Sequence, residues 1–252
     1  MIVSAAQTDK GLKRKTNQDF LSCNEDLGIY LLADGMGGHA AGSVASRLAV
    51  ETIEDFVSLA QDTSELTWPY GYDIRTTFEL NILRTALRLA NAKVCQAAEQ
   101  QERFAGMGST VVAVLIVEGK AVYAHLGDSR LYLLRDRNLD QLTEDHSLVQ
   151  EQLKSGIISP EQAQEHAFRN VVTRAIGVRD DSPIPIQEID LQDQDLLMLA
   201  CDGLTDLLND GQLLGLLTQH DDLDKLCRNL VEAANQAGGL DNITVVLLRY
   251  RG

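Results

Sequence analysis

The sequence predicts an α+β fold built on antiparallel sheets. Strand-like and helix-like runs come in blocks, without the regular strand–helix alternation of a doubly wound parallel sheet. Three strand-like runs follow one another between Ser109 and Leu134, separated by Gly119 and by Gly127-Asp128-Ser129, which suits two tight hairpins. No long Pro/Gly/Ser linker or fixed-period repeat interrupts the 252 residues, and only four prolines occur, so residues 1–252 are expected to form a single domain.

The first clear element is the short apolar run Gly28–Ala33, which reads as a buried strand. After a glycine-rich turn, Ala40–Leu59 places Val44, Leu48, Ile53, Phe56 and Val57 near helical spacing. Asp62–Asp73, with Trp68-Pro69 inside it, reads as a surface loop. A long helix is expected over Ile74–Arg103, with Leu80, Leu83, Leu87, Val94 and Ala98 on its apolar face. Strands follow at Ser109–Val117, Ala121–Leu126 and Arg130–Leu134. Residues 145–180 are polar and moderately helical, punctuated by Gly156, Pro160 and Gly177, and are expected to form a surface flap subdomain. Strands return at Ile184–Leu191 and Asp195–Cys201, helices at Gln212–Thr218 and Leu223–Ala237, and a last strand at Asn242–Tyr250.

Composition narrows the function. With 44% hydrophobic residues the chain can bury a substantial core without disulfides. Cys23, Cys95, Cys201 and Cys227 are widely spaced and form no CxxC pair, so they read as reduced thiols in a cytoplasmic protein. The longest apolar run, Val111–Val117, is far shorter than the roughly 20 residues a spanning helix needs, and the first residues show no signal-peptide pattern. A net charge of −15 argues against nucleic-acid binding, which depends on Lys and Arg.

The aspartates then become informative. Any one Asp-Gly is ordinary turn chemistry, but here aspartates recur at strand ends. Asp34-Gly35 ends one strand, Asp202-Gly203 another, Asp128 follows a third, Asp241 precedes the last, and Asp19 stands at the edge of an early one. Brought together, such carboxylates repel one another unless a cation neutralises them. An all-oxygen ligand set suits Mg²⁺ or Mn²⁺, whereas zinc favours His and Cys. A glycine carbonyl is an open ligand, which suits Gly35. The commonest use of a multi-metal carboxylate site is phosphoryl chemistry.

Taken in order, the motifs resemble the metal-dependent protein phosphatase family, the type 2C Ser/Thr protein phosphatases, and its compact bacterial branch in particular. They are Arg14-Lys15-Thr16-Asn17-Gln18-Asp19, Ala33-Asp34-Gly35-Met36-Gly37-Gly38-His39, Gly108-Ser109-Thr110, Gly127-Asp128-Ser129-Arg130, Cys201-Asp202-Gly203-Leu204-Thr205 and Gly239-Leu240-Asp241-Asn242-Ile243-Thr244. The resemblance implies a four-layer α-β-β-α sandwich, two central antiparallel sheets flanked by helix pairs. It implies hydrolysis of phosphoserine and phosphothreonine in proteins by a metal-bridged water attacking phosphorus in line. It further implies that Asp34 bridges two metals, that the Gly35 carbonyl ligates the first, that Asp202 and Asp241 complete the second, and that Asp128 with Asp202 holds a weaker third. Arg14 would bind the substrate phosphate, Asp19 would orient the water, and His39 would protonate the leaving oxygen. The expected partners are phosphoproteins and a Ser/Thr kinase, with no nucleic acid or membrane, and the chain is expected to act as a monomer.

Two positions depart from the pattern: Gln18 stands where many members carry Glu, and Met36 where eukaryotic members carry His. Arg14 lies in the basic cluster 13–15, which in isolation reads as a solvated patch. His125, between apolar strand residues, reads as a core histidine, and His146 as a structural residue opening the flap. Ser109 and Thr110 have no His base nearby in sequence and read as strand residues beside the site. Two other functions compete. A catalytically silent binding module has no physical reason to keep Asp34, Asp128, Asp202 and Asp241 together. Another metal-dependent phosphoesterase would show basic surface or His-rich metal motifs. Within the flap, Arg169→Ala or shortening around Ser155-Gly156 is expected to alter phosphopeptide selectivity more than aryl phosphate turnover.

Overall fold

The computed structural model describes all residues except 39–40, 63–65, 165, 169 and 180–181. His39 and Arg169 therefore lie outside the described residues. In chain order the strands are β1 (Ile2–Asp9), β2 (Asp19–Asn24), β3 (Ile29–Met36), β4 (Gly108–Ser109), β5 (Val111–Val117), β6 (Lys120–Leu126), β7 (Arg130–Arg135), β8 (Asn138–Gln141), β9 (Ile186–Asp190), β10 (Leu196–Ala200) and β11 (Ile243–Tyr250). The helices are α1 (Ala41–Asp62), α2 (Phe78–Gln100), α3 (Leu148–Lys154), α4 (Pro160–Gln164), α5 (Asp202–Thr205), α6 (Asp210–Leu217) and α7 (Leu223–Gln236).

Among the described residues the strands form two antiparallel sheets. One runs β1-β11-β10-β7-β8 and the other β2-β3-β5-β6-β9, with β4 paired to β3. Strand periodicity explains why the central strands read as unbroken apolar runs, since both of their faces are covered. On β3, Ile29, Leu31 and Ala33 pack under α1 and α2, whereas Tyr30 and Leu32 face the other sheet. On β11, Ile243, Val245 and Leu247 pack against α6 and α7, whereas Val246 and Leu248 turn inward. The result is the expected four-layer sandwich with three apolar layers. A Leu→Ala change in any of them costs roughly 2–5 kcal/mol.

Several boundaries differ from the sequence reading for identifiable reasons. The Gly119 hairpin forms between β5 and β6, with Glu118 and Gly119 both at positive φ, as a primed turn needs. The second expected hairpin does not form. Both edges of β6 are already taken by β5 and β9, so the chain crosses at Gly127 to β7 in the opposite sheet. Gly127 makes this step at φ +111°, packed on Thr110, where an added Cβ would stand 2.6 Å from the threonine Cβ. Helix α2 begins at Phe78 rather than Ile74, because Thr77 caps it by accepting from Leu80 N. No strand was expected at β1 or β8.

The described residues of 148–171 form two short helices and their connections beside the sandwich. The segment is tied back by bridges Ser147↔Val172 and Ser109↔Ile176, and Ile176 is fully buried. Among the described residues no helix is long and apolar enough to cross a membrane.

Candidate metal centre

The crossing at Gly127 and the ends of β3, β10 and β11 bring four aspartates to one opening between the sheets. Arg14, Asp34, Gly35, Asp128, Asp202 and Asp241 line a cleft of about 290 Å³, together with Gln18, Met36, Gly37, Thr110, Asn170, Val172 and Asn242. Six of the positions picked out from sequence thus share one cavity, although they span more than 220 residues of chain. Asp19 does not line the cleft. It is buried behind it as the cross-strand partner of Asp34.

The backbone around Asp34 is fixed from both sides. Asp34 N donates to Thr110 Oγ1 (3.0 Å), Thr110 N to Asp34 O (2.9 Å), and Ser109 Oγ to the same carbonyl (2.9 Å). Ser109 and Thr110 are therefore supports for a strand end, as their sequence context suggested. Gly35 faces Gly42 at the start of α1. A Cβ on Gly35 would stand 2.1 Å from the Gly42 carbonyl oxygen, and a Cβ on Gly42 would stand 2.6 Å from that of Gly35. Only glycine at 42 leaves the Gly35 carbonyl uncovered.

Arg14, with its side chain 55% exposed, lies across the mouth. Its Nε and NH2 groups donate to both oxygens of Asp241, at 2.7 and 2.5 Å. The loop that carries it is clamped by Asn242, which accepts from Gln18 N (2.8 Å) and donates to the carbonyls of Lys10 and Thr16 (3.0 Å each). Leu12 N and Lys13 N close the same loop on Gly239 O. Asn242 is a residue that sequence reasoning did not single out. Its side chain serves a loop 224 or more positions earlier, a pairing that local pattern cannot reveal.

Electrostatics describe a site built for cations. Burial pushes Asp34 well above the usual carboxylate range, and the Asp19 and Asp202 charges push it further. Burial and then the Asp202 charge raise Asp128 to about 7. Asp202 is raised to about 6 by burial and by Asp241. Asp19 rises to about 7 through burial, opposed by a hydrogen bond from Thr244. Among the described residues no three Asp, Glu, His or Cys side chains already form a coordination shell, and the Asp241 carboxylate is paired with Arg14. The donor chemistry nevertheless fits hard divalent ions. Asp19 Oδ1 and Asp202 Oδ1 are buried without a hydrogen-bond partner, and the remaining repulsion is what a cation removes.

His125 and His146 are structural. His125 is 5% exposed, its ring nitrogen Nε2 lies 2.8 Å from Glu144 O, and it stacks on His146 at 4.4 Å. His146 Nδ1 accepts from Gly127 N, and Thr173 N donates to His146 O, which ties the crossing to the base of the flap.

Comparison with known proteins agrees with this geometry. The family model described as Protein phosphatase 2C matches residues 11–245. The chain is 38% identical over 245 residues to the protein phosphatase PhpP of Streptococcus pneumoniae, covering 96% of this chain and 94% of that protein. It superposes on the crystal structure of the serine/threonine phosphatase PstP/Ppp of Mycobacterium tuberculosis with a TM-score of 0.86 at 33% identity, covering 100% and 99% of the two chains. A crystal structure of the PstP catalytic domain with two manganese ions gives a TM-score of 0.84 at 32% identity, with coverage of 100% and 99%.

Proposed function

We propose a division of labour within this site from the premise that the chain belongs to the protein phosphatase 2C family and is a metal-dependent protein serine/threonine phosphatase with a two-metal centre. The observation that carries it is the convergence of Arg14, Asp34, Gly35, Asp128, Asp202 and Asp241 on one cleft, backed by buried carboxylate oxygens that lack partners. Residues 1–252 act as one catalytic domain. Asp34, the Gly35 carbonyl, Asp202 and Asp241 would hold the two ions, and Asp128 with Asp202 would hold a weaker third. Mn²⁺ and Mg²⁺ both suit this oxygen set. The chemistry such a pair supplies is acidification of water and neutralisation of phosphate charge.

The chain's own residues do the rest. Asp19, directly behind Asp34 as its cross-strand partner, is assigned the role of orienting the attacking water toward phosphorus. Arg14 transfers its two-pronged contact from Asp241 to the phosphate, since the guanidinium fork fits both. His39 donates the proton that the leaving serine or threonine oxygen requires. The flap offers the phosphoprotein a surface to rest on. The corresponding kinase is the natural partner, and four free thiols suit a monomer working in the cytoplasm. Assays with Mn²⁺ test the reading: the protein should hydrolyse p-nitrophenyl phosphate and a phosphothreonine peptide but not bis-p-nitrophenyl phosphate. Turnover of the diester would point to a phosphodiesterase, and no turnover of any substrate to a silent binding module.

A further inference from the structure

Asp19 closes a ring of hydrogen bonds that begins and ends on itself. Its backbone N–H donates to Asn17 Oδ1 (3.1 Å), which orients the amide so that Asn17 Nδ2 donates to Thr8 Oγ1 (2.8 Å). Thr8 Oγ1 and Thr244 Oγ1 are 2.7 Å apart, and Thr244 Oγ1 donates to Asp19 Oδ2 at 2.5 Å. An amide NH₂ only donates, an ionised carboxylate only accepts, and each hydroxyl has one proton. With Asp19 ionised, the ring therefore has one direction: Asn17 into Thr8, Thr8 into Thr244, Thr244 into Asp19.

Its placement matters as much as its direction. Thr8 and Thr244 are cross-strand partners in one sheet, whereas Asp19 belongs to the other. Thr244 is fully buried, and its N–H donates to Cys201 Sγ (3.0 Å), the residue before Asp202. A single hydroxyl thus reaches across the sandwich and engages Oδ2, leaving Oδ1 as the buried oxygen without a partner. The 2.5 Å contact lies at the short end expected of a charge-assisted O–H···O⁻ bond.

We propose that Thr244, backed by Thr8, is a positioning residue for Asp19. By engaging Oδ2 it fixes the plane of the carboxylate and leaves Oδ1 as the one oxygen free to act toward the reacting water. The proposal rests on reading Asp19 as the group that orients that water. Partners that hold a functional group from behind typically contribute 10- to 100-fold. The competing account is a Thr–Thr cross-strand pair that stabilises the sheet and nothing more. It would shift Tm without separating kcat from KM.

The test uses the full chain with saturating Mn²⁺ and p-nitrophenyl phosphate. Thr244→Val should lower kcat by roughly 10- to 100-fold, with KM and the Mn²⁺ dissociation constant from calorimetry unchanged, and Thr244→Ser should restore most of the loss. Thr8→Val, at an exposed position that tolerates change, should lower kcat severalfold. In an Asp19→Ala background, Thr244→Val should have no further effect on kcat. Wild-type kcat in both valine variants, alongside a damaged Asp19→Ala, overturns the positioning role and leaves Asp19's role standing. An undiminished effect of Thr244→Val in the Asp19→Ala background, or failure of serine to rescue, overturns it too. Full turnover by Asp19→Ala removes the reading of Asp19 and this proposal with it.

Discussion

The metal cleft and the flap are neighbours built to different standards. The cleft's aspartates sit at the ends of strands whose preceding or following residues are buried, Ile29–Ala33, Leu196–Ala200 and Ile243–Leu248 among them. The flap contributes one buried side chain from α3, Val149, and leaves Ile157 and Phe168 exposed. Its helices depend on local bonds, Ser147 accepting from Gln150 N and Ser159 from Gln162 N. Chemistry that fails with a misplacement of about 1 Å is mounted on the part of the fold that opens last. The proposed docking surface for protein substrates is mounted on the part with the least burial, which opens at the lower cost.

The sharpest way to break this contrast is to remove a carboxylate. Asp34→Ala or Asp202→Ala should reduce turnover by well over the roughly 100-fold typical of a supporting residue, while circular dichroism shows a folded protein. Relief of repulsion should leave the metal-free variant melting at or above metal-free wild type. Near wild-type turnover at millimolar Mn²⁺ in either variant would sink the proposed centre.

Arg14 comes next. Loss of a charge-assisted phosphate contact worth about 1.5–3 kcal/mol should cut kcat/KM by about ten- to a few hundredfold, with KM raised and kcat lowered. Because Arg14 occupies both Asp241 oxygens, Arg14→Ala should also tighten Mn²⁺ binding, which calorimetry reads directly. Unchanged kcat/KM would return Arg14 to the solvated patch its sequence neighbours suggest.

Acidity separates the two regions by sign. Asp19, Asp128 and Asp202 have folded-state pKa values of about 7, 7 and 6, above the ordinary 3.8. From about pH 4 to 7 the folded chain thus holds more protons than the unfolded one, so their contribution to stability falls as pH rises. Melting of EDTA-treated protein should show this decline, and saturating Mn²⁺ should abolish it. At the flap base, Lys154 holds Glu144 below its ordinary value, a contribution lost instead as pH falls, and small because the pair is exposed. A metal-free stability that rises steadily between pH 5 and 8 would contradict the assignment.

The smallest effect is expected in the flap itself. Shortening around Ser155-Gly156 should change kcat/KM for a phosphopeptide severalfold while p-nitrophenyl phosphate turnover stays within about twofold, since an aryl phosphate needs no docking surface. Parallel changes for both substrates would make the segment a passive insertion.

Much of the candidate site was legible because its proposed ligands sit in strings that announce themselves. An apolar run ending in Asp-Gly marks both a strand end and a candidate ligand, so Asp34 and Asp202 could be found from local pattern. What stayed hidden is pairing at long range. The Arg14–Asp241 contact, the Asn242 clamp and the Thr8–Thr244 bridge each join positions more than 220 residues apart. Strand β1 was missed because Ser4, Gln7 and Thr8 break its apolar pattern, as befits an edge strand, and β8 because only Leu139 of its four residues is apolar. The false hairpin at Gly127 arose because a glycine turn carries no information about which sheet receives the next strand.

The facing glycines at 35 and 42 set a limit on how this chain can change over generations. Each blocks a methyl group on the other by backbone atoms that cannot step aside, so neither position can explore even alanine while the other stays put. Variation must therefore enter around this contact rather than through it. A mutational library would find here a locus of near-zero tolerance containing no charged, nucleophilic or hydrogen-bonding side chain. Selection at such a place acts on an empty space, and its most informative substitution is the smallest one, Gly42→Ala.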